Sequence, residues 1–188
     1  GDIGTHAANL AEFITGLKIK QVAADLTTFV KGRRLDDDGS VLVRFNKGAK
    51  GVLFASQIAI GEENDLAIWI YGENGSLEWH QEYPNDLLVG ELGAARSVWR
   101  RGNDYVGAKS EAAGRCTRLP FGHPEAFFEA FANNYLNFAD TVRARDERRK
   151  PTALELDFPG IEEGVRGMQF IEAVVKSSKQ NAKWIDIK

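Results

Sequence analysis

Two residues near the start of the sequence have the types and spacing suited to proton transfer. Asp2 and His6 are four positions apart, so on a helix they would lie on one face within reach of each other. A carboxylate beside an imidazole fixes the tautomer of the ring and raises its basicity, which prepares a histidine to move a proton. On spacing alone the pair is a weak signal, because an aspartate near a helix start is more often a cap.

A second candidate histidine precedes a predicted helix. His123 stands in the segment Gly122-His123-Pro124-Glu125, where a loop could present its ring to a ligand at a helix N-terminus. An ordinary turn is the alternative, and the local sequence favours it. His80 follows Trp79 on a predicted strand, so we expect it to face solvent or an interface.

Composition excludes several classes of protein. Of the 188 residues, 43% are hydrophobic and 27% are charged, which is typical of a globular domain. A net charge of −3 gives no attraction toward nucleic acid or an anionic membrane. The longest nearly apolar stretch, Val52–Ile60, is far shorter than the roughly 20 residues that a membrane-spanning helix needs. We therefore expect neither nucleic acid nor a membrane as a partner.

The sequence lacks the common cofactor and metal motifs. It contains no G-x-G-x-x-G, no Walker loop, no G-x-S-x-G and no Cys/His cluster with zinc spacing. The single Cys116 can form neither an internal disulfide nor, alone, a metal site. We expect no metal site and no dinucleotide pyrophosphate site in this chain, and a reducing, cytoplasmic setting.

The first half of the sequence predicts one helix and then a run of hairpins. Apolar residues at spacings of three and four predict a helix over Gly4–Thr15, with Gly16 as its C-cap. The predicted strands are Val22–Ala24, Leu26–Val30, Val41–Phe45, Gly51–Ala55, Leu66–Tyr71, Leu77–His80 and Leu87–Val89. Glycine-containing turns join several of them, so the sheet should be largely antiparallel.

The second half predicts loops and then two helices. Gly90–Gly122 has no clear period and is interpreted as loops with at most one edge strand. Pro124 suits the first turn of a helix that ends before Pro151. Its aromatic stripe is expected to belong to the core; the stripe includes Phe127, Phe131, Tyr135 and Phe138. Another helix is predicted over Ile161–Ser178, followed by a short strand, Trp184–Ile187.

This order of elements predicts an α+β fold. We expect an open, antiparallel-rich sheet with helices packed on one face. The other face is then left open, and an open face of this size normally meets a partner or a second domain.

The sequence also resembles a known family at several places in the same order. Asp2-Ile3-Gly4-Thr5-His6 resembles the D-x-G-x-H helix that opens the C-terminal domain of the Gfo/Idh/MocA oxidoreductases. Ser40–Ser56 resembles paired strands of that family, and Ile70–Trp79 resembles one of its hairpins. Gly122–Asn133 is similar to a segment found in one subset, and Phe158–Arg166 resembles the entry to its last helix.

The resemblance implies half of a two-domain enzyme. Residues 1–188 would be a single substrate-binding and oligomerisation domain, similar in fold to the C-terminal domain of glyceraldehyde-3-phosphate dehydrogenase. An N-terminal Rossmann domain absent from this chain would bind NAD or NADP. The implied reaction moves a hydride between a sugar or polyol hydroxyl and that cofactor, and the implied assembly is a homo-oligomer formed through the open sheet face.

The resemblance also implies roles for four residues. His6 would be the general acid/base on the reacting hydroxyl, and Asp2 would orient it or bind substrate. His123 and Arg100 would contact substrate. Two departures affect the substrate more than the reaction: Asn9 stands where the family often has Asp, and Ala126-Phe127 replaces a Gly-Tyr pair.

Two other functions remain open from the sequence. One is a non-enzymatic binding or regulatory module built on the same sheet. The other is a family member that uses its cofactor transiently to cleave a glycoside or to dehydrate its substrate.

Overall fold

A computed structural model describes residues 1–187. The chain divides into two compact units, which are described separately. The first contains residues 1–63 and the C-terminal segment from Gly160, and the second contains Asn64–Pro159. The expectation of one domain over residues 1–188 stays a prediction.

The described residues form five α-helices and eight strands. In chain order the helices are α1 Asp2–Thr15, α2 Asp104–Lys109, α3 Glu111–Arg115, α4 Phe127–Asp146 and α5 Ile161–Ser178. The strands are β1 Ile19–Thr27, β2 Asp38–Phe45, β3 Lys50–Ser56, β4 Ala67–Tyr71, β5 Gly75–His80, β6 Asp86–Glu91, β7 Ser97–Arg100 and β8 Ile185–Asp186.

The first unit is a four-stranded antiparallel sheet with two helices packed against it. The strand order is β3-β2-β1-β8, α5 packs on β1, and α1 packs on β3 and α5. The buried core comprises Ala8, Ile19, Val22, Ala24, Val41, Val43, Leu53, Phe170, Ala173, Val174 and Ile187. Helices therefore cover one face of this sheet, as the sequence predicts.

Alternation along β2 and β3 decides which residues face the helices. Val41, Val43 and Leu53 are buried, whereas Leu42 and Val52, which pair across the two strands, are 50% and 74% exposed. Successive strand residues point to opposite faces, so the second face of this sheet carries exposed apolar side chains.

The second unit contains another four-stranded antiparallel sheet, with strand order β4-β5-β6-β7. The α+β class, the antiparallel pairing and the packed helices are confirmed, and the expected sheet is divided in two. The strands form two sheets: one contains β1, β2, β3 and β8, and the other contains β4, β5, β6 and β7. A hairpin pattern predicts which neighbours pair, and it carries no information about pairing between successive hairpins.

Two details of the second unit also differ from expectation. The stretch Gly90–Gly122 contains β7 and two short helices, α2 and α3, where only loops and an edge strand were expected. Pro124 lies outside α4, which begins at Phe127 with Ala126 as its N-cap. Helices of six and five residues are too short to show a hydrophobic period.

Polar contacts fix α4 in its unit. Its buried residues are Asn137 and Ala144. Arg115 donates from Nε to Asn137 Oδ1 (3.0 Å) and from Nη2 to Asp140 Oδ2 (2.7 Å). The Asn137 amide also donates to the carbonyl of Asp157 (2.9 Å). The inward face of α4 is thus held mainly by hydrogen bonds, with little apolar packing.

The aromatic stripe of α4 lies on its outward side. Phe127, Phe131, Tyr135 and Phe138 are all more than half exposed, so the expectation that they form core is wrong. Periodicity shows that these residues share a helix face, but it does not show which face a neighbour covers. Within residues 1–187 no helix combines the length and apolar character needed to cross a membrane.

Candidate functional site

The α1 helix places His6 on an exposed face. It runs from Asp2 to Thr15, and Gly16 caps it in a left-handed conformation (φ 64°) while its N–H donates to the Glu12 carbonyl (2.9 Å). Asp2, His6 and Phe13 are exposed, and Glu12 is buried. The helix therefore turns its buried face to its own unit and presents His6 outward.

Asp2 and His6 occupy successive turns of α1, as the spacing predicts. The Asp2 carbonyl accepts a hydrogen bond from Thr5 Oγ1 (2.7 Å). In the described chain, no hydrogen bond or ion pair joins the Asp2 carboxylate to the His6 ring. The orienting role of Asp2 stays a prediction.

A buried carboxylate anchors α1 at its other end. Glu12 Oε1 accepts from the Ile19 N–H (2.7 Å) and from Arg166 Nη2 (2.8 Å), and Oε2 accepts from Lys18 Nζ (3.2 Å). Burial raises the pKa of Glu12, but the hydrogen bonds from Arg166 and Ile19 outweigh it and lower the pKa overall. Glu12 stays ionised and joins α1 to β1 and α5.

A cavity of about 670 Å³ opens beside the first turn of α1 within the first unit. Its lining includes Asp2 and the apolar side chain of Phe170, together with charged residues such as Arg33 and Asp36. His6 is not among the lining residues. The cavity is therefore next to the predicted general acid/base without containing it.

Arg100, the first of the two predicted substrate contacts, ends β7 in the second unit. Its side chain is 69% exposed, with Nε 3.6 Å from Asp86 Oδ1. Its backbone N–H donates to the Tyr105 hydroxyl (2.9 Å), and its carbonyl accepts from Asn103 Nδ2 (3.0 Å). These contacts fix the backbone of Arg100 and leave its guanidinium largely in solvent.

His123 lies in the loop between α3 and α4. Its N–H donates to the Pro120 carbonyl (3.3 Å), and Gly122 adopts the positive φ (80°) that this tight turn requires. The ring is exposed, with Nδ1 3.3 Å from the Phe121 carbonyl. The loop presents the imidazole outward, which fits a ligand contact as well as it fits a surface turn.

The structure connects the two predicted substrate contacts through residues that sequence reasoning missed. Arg101, the neighbour of Arg100, donates from Nη2 to the His123 carbonyl. Glu125 and Asn85 belong to the same network. Nothing in the sequence distinguishes Arg101 from Arg100, because the contacts that separate them come from residues 16 to 24 positions away. Glu125 belongs to the Gly-His-Pro-Glu segment, and this motif is the sequence feature that could have pointed to it.

The described residues carry no arrangement for a metal or for a dinucleotide pyrophosphate. Between residues 1 and 187 no group of three His, Cys, Asp or Glu is placed to hold a metal ion. A dinucleotide cradle is a strand, a glycine turn and a helix in a parallel βαβ unit, whereas every paired strand here is antiparallel. These residues do not fit a pyrophosphate.

Comparison with known proteins finds similarity to a family of oxidoreductases. A family model described as the GFO/IDH/MocA C-terminal domain matches residues 1–78. The uncharacterized oxidoreductase YfiI of Bacillus subtilis (strain 168) is 32% identical over 190 residues, which cover 100% of this chain and 48% of YfiI. Over residues 1–78 the chain is thus similar to the C-terminal domain of the Gfo/Idh/MocA family, and over its whole length it is similar to oxidoreductases.

Solved structures of oxidoreductases share the fold. An oxidoreductase from Sinorhizobium meliloti is 44% identical with a TM-score of 0.90, over 98% of this chain and 51% of that one. An inositol dehydrogenase homolog from Azotobacter vinelandii, complexed with NADH and myo-inositol, is 32% identical with a TM-score of 0.85, over 99% of this chain and 49% of that one. The chain thus spans about half the length of the relatives it matches.

Proposed function

We propose that this chain is the substrate-binding half of an oxidoreductase that transfers a hydride between a sugar or polyol hydroxyl and NAD or NADP. The observation that carries the proposal is the outward placement of His6 on an anchored helix that opens the domain. The support from outside the chain is its similarity to an inositol dehydrogenase homolog solved with NADH and myo-inositol.

The chemistry needs a base at the hydroxyl oxygen. As the hydride leaves carbon, the O–H bond breaks, its electron pair forms the second C–O bond, and His6 takes the proton. In the reverse direction the imidazolium returns the proton to the carbonyl oxygen. Asp2, one turn earlier on α1, would orient the ring or bind a substrate hydroxyl. The nicotinamide cofactor, when bound, would supply the hydride acceptor.

His123 and Arg100 would be substrate contacts. Imidazole and guanidinium groups donate hydrogen bonds to hydroxyl oxygens, and both side chains are exposed in the second unit. Because the described residues do not fit a pyrophosphate, the proposal places the cofactor-binding Rossmann domain outside this chain. It also retains the cytoplasmic location that the single Cys116 supports.

A substrate screen followed by one substitution tests the proposal. The full-length protein is assayed for NADH and NADPH formation on a panel of sugars and polyols that includes myo-inositol. We expect His6→Ala to lower kcat about 10²- to 10⁴-fold on the oxidised substrate, which is the usual contribution of a general base. His80→Ala, a histidine replacement on β5, serves as the matched control and should leave kcat unchanged.

Three results would contradict this function. Unchanged turnover by His6→Ala would remove the catalytic role of His6. Substrate cleavage or dehydration without net NADH would instead favour the transient use of the cofactor. Sugar binding without any turnover by the wild-type protein would favour a binding module.

We also propose that copies of the protein associate through the open face of the β1–β3 sheet. The exposed residues Leu42, Val52 and Phe54 support this, because monomers rarely leave such contiguous apolar patches in water. Val52→Lys should lower the oligomeric state measured by sedimentation, whereas Ile60→Lys, at an exposed loop position, should not. An oligomer unchanged by Val52→Lys would contradict the assignment of this face.

A further inference from the structure

The loop that carries His123 contains a buried carboxylate. Glu125 is 5% exposed although it lies outside any helix or strand. Its Oε1 accepts from the backbone N–H groups of Arg118 (2.8 Å) and Leu119 (3.0 Å). Burying a carboxylate costs free energy unless hydrogen bonds and an opposite charge compensate it, so the neighbours of Glu125 must supply both.

The compensating charge is Arg101, whose Nη1 lies 2.8 Å from Glu125 Oε2. Among the described residues Oε2 accepts no hydrogen bond, and Arg101 Nη1 donates to the Leu119 carbonyl (2.9 Å). Nη2 donates to the His123 carbonyl. One guanidinium thus holds a carboxylate and two loop carbonyls.

A third side chain closes the network. Asn85 Oδ1 accepts from Arg101 Nε (2.8 Å) and from the Glu125 N–H (3.0 Å). A Cβ on Gly102 would lie 2.8 Å from the Phe121 nitrogen, so the turn after β7 is pressed against the His123 loop. The loop backbone is therefore fixed on both sides of His123, at Leu119 and at Glu125.

The ring of His123 has only local support of its own. It is exposed, and its recorded contact is with the Phe121 carbonyl two residues earlier. The direction in which the imidazole points therefore depends on the loop backbone, which Arg101 holds at the His123 carbonyl.

We infer that Arg101 and Glu125 are positioning residues that hold His123 in the orientation in which it contacts the substrate. The inference rests on the proposed function, in which His123 binds a sugar or polyol hydroxyl. Arg101 and Glu125 act through His123 and do not themselves touch the substrate. A displacement of about 1 Å in such a contact can cost up to about 100-fold in activity.

The test is a double-mutant cycle in the full-length protein. KM and kcat are measured with myo-inositol, or with the panel member that the wild-type protein oxidises, for Arg101→Lys, His123→Ala and the double variant. Lysine keeps the charge but cannot bind Asn85, Leu119 and His123 together. We expect Arg101→Lys to raise KM about tenfold with kcat changed much less, and to have no further effect on KM once His123 is alanine.

Two further variants keep the test decisive. Glu125→Gln preserves size and one acceptor oxygen, and it should raise KM in the same manner; it carries the test if Arg101→Lys does not fold. Arg149→Lys changes another arginine of the second unit that pairs with a glutamate, Glu155 (2.8 Å). This matched control should alter thermal stability without altering KM.

The possible outcomes distinguish a failure of the positioning inference from a failure of the proposed function. If His123→Ala leaves KM unchanged, the proposed substrate contact fails. If His123→Ala raises KM while Arg101→Lys and Glu125→Gln do not, the contact holds and the positioning inference is overturned. Additive effects of Arg101→Lys and His123→Ala on KM would also overturn it, because Arg101 would then act independently of His123.

Discussion

The helix that carries His6 and the loop that carries His123 are each held by a buried glutamate paired with an arginine, but the two pairs are built differently. Glu12 receives hydrogen bonds on both carboxylate oxygens, from Arg166, Lys18 and a backbone N–H. Glu125 receives them on one oxygen only, and its other oxygen faces Arg101 without a hydrogen bond.

The difference follows from the type of element that each pair supports. A helix fixes the relative positions of its side chains through its own backbone hydrogen bonds, so Glu12 adds docking to an element that is already ordered. A loop has no such internal order, so the position of His123 depends on contacts from distant residues such as Arg101 and Asn85. We therefore expect loss of Glu12 to affect stability most, and loss of Arg101 or Glu125 to affect substrate binding.

The largest effect on stability is expected for Glu12→Ala. It leaves Arg166, which is 22% exposed, without its partner, and removal of one member of a buried ion pair costs about 3–5 kcal/mol. Urea denaturation gives the free energy of unfolding. Glu162→Ala, an exposed glutamate on α5, is the control and should change it by less than about 0.5 kcal/mol.

The cost of Glu12→Ala should also depend on pH. The pKa of Glu12 is lower in the folded chain than its ordinary value of 4.5, so its stabilising contribution is complete above about pH 4.5. The contribution is lost as the pH falls through the folded pKa. The difference between wild type and variant should therefore shrink in acid. If the difference in the free energy of unfolding stayed constant between about pH 7 and about pH 3, Glu12 would act through packing alone.

A smaller effect is expected where the loop region is perturbed through its backbone. Gly102 and Gly122 have nearly the same positive φ, 81° and 80°, but only a Cβ at Gly102 would meet the Phe121 backbone. Gly122→Ala should cost about 1 kcal/mol for its conformation, and Gly102→Ala about 2–3 kcal/mol because the turn must also move. Equal costs in urea denaturation would show that the two turns are not pressed together.

The sequence predicts best what local pattern controls. The α1 helix with its Gly16 cap, the β2–β3 and β4–β5 hairpins and α5 all follow from periodicity and turn residues. The outward position of His6 follows from the same period once the buried face of α1 is known. Their order along the chain is enough to give the α+β class.

What the sequence does not predict is set by contacts between distant residues. The Arg101–Glu125 pair joins positions 24 residues apart, and Glu12 and Arg166 are separated by 154 positions. The division into two sheets and the inward face of α4 depend on similar tertiary choices. Local propensity is neutral toward such choices, so the pattern predicts a core position for Phe131, which is exposed, and gives no sign that Asn137 is buried.

The polar attachment of α4 has a consequence for how the protein can change over generations. Asn137 and Asp140 hold the helix through hydrogen bonds, so the aromatic residues on its other side contribute little to the folding of the unit. The fold of the unit should therefore tolerate substitutions at Phe131 or Tyr135, which are both exposed. Selection for folding acts on the residues that hold α4 in its unit, such as Asn137 and Asp140. The exposed aromatic residues and these polar residues can therefore diversify at different rates.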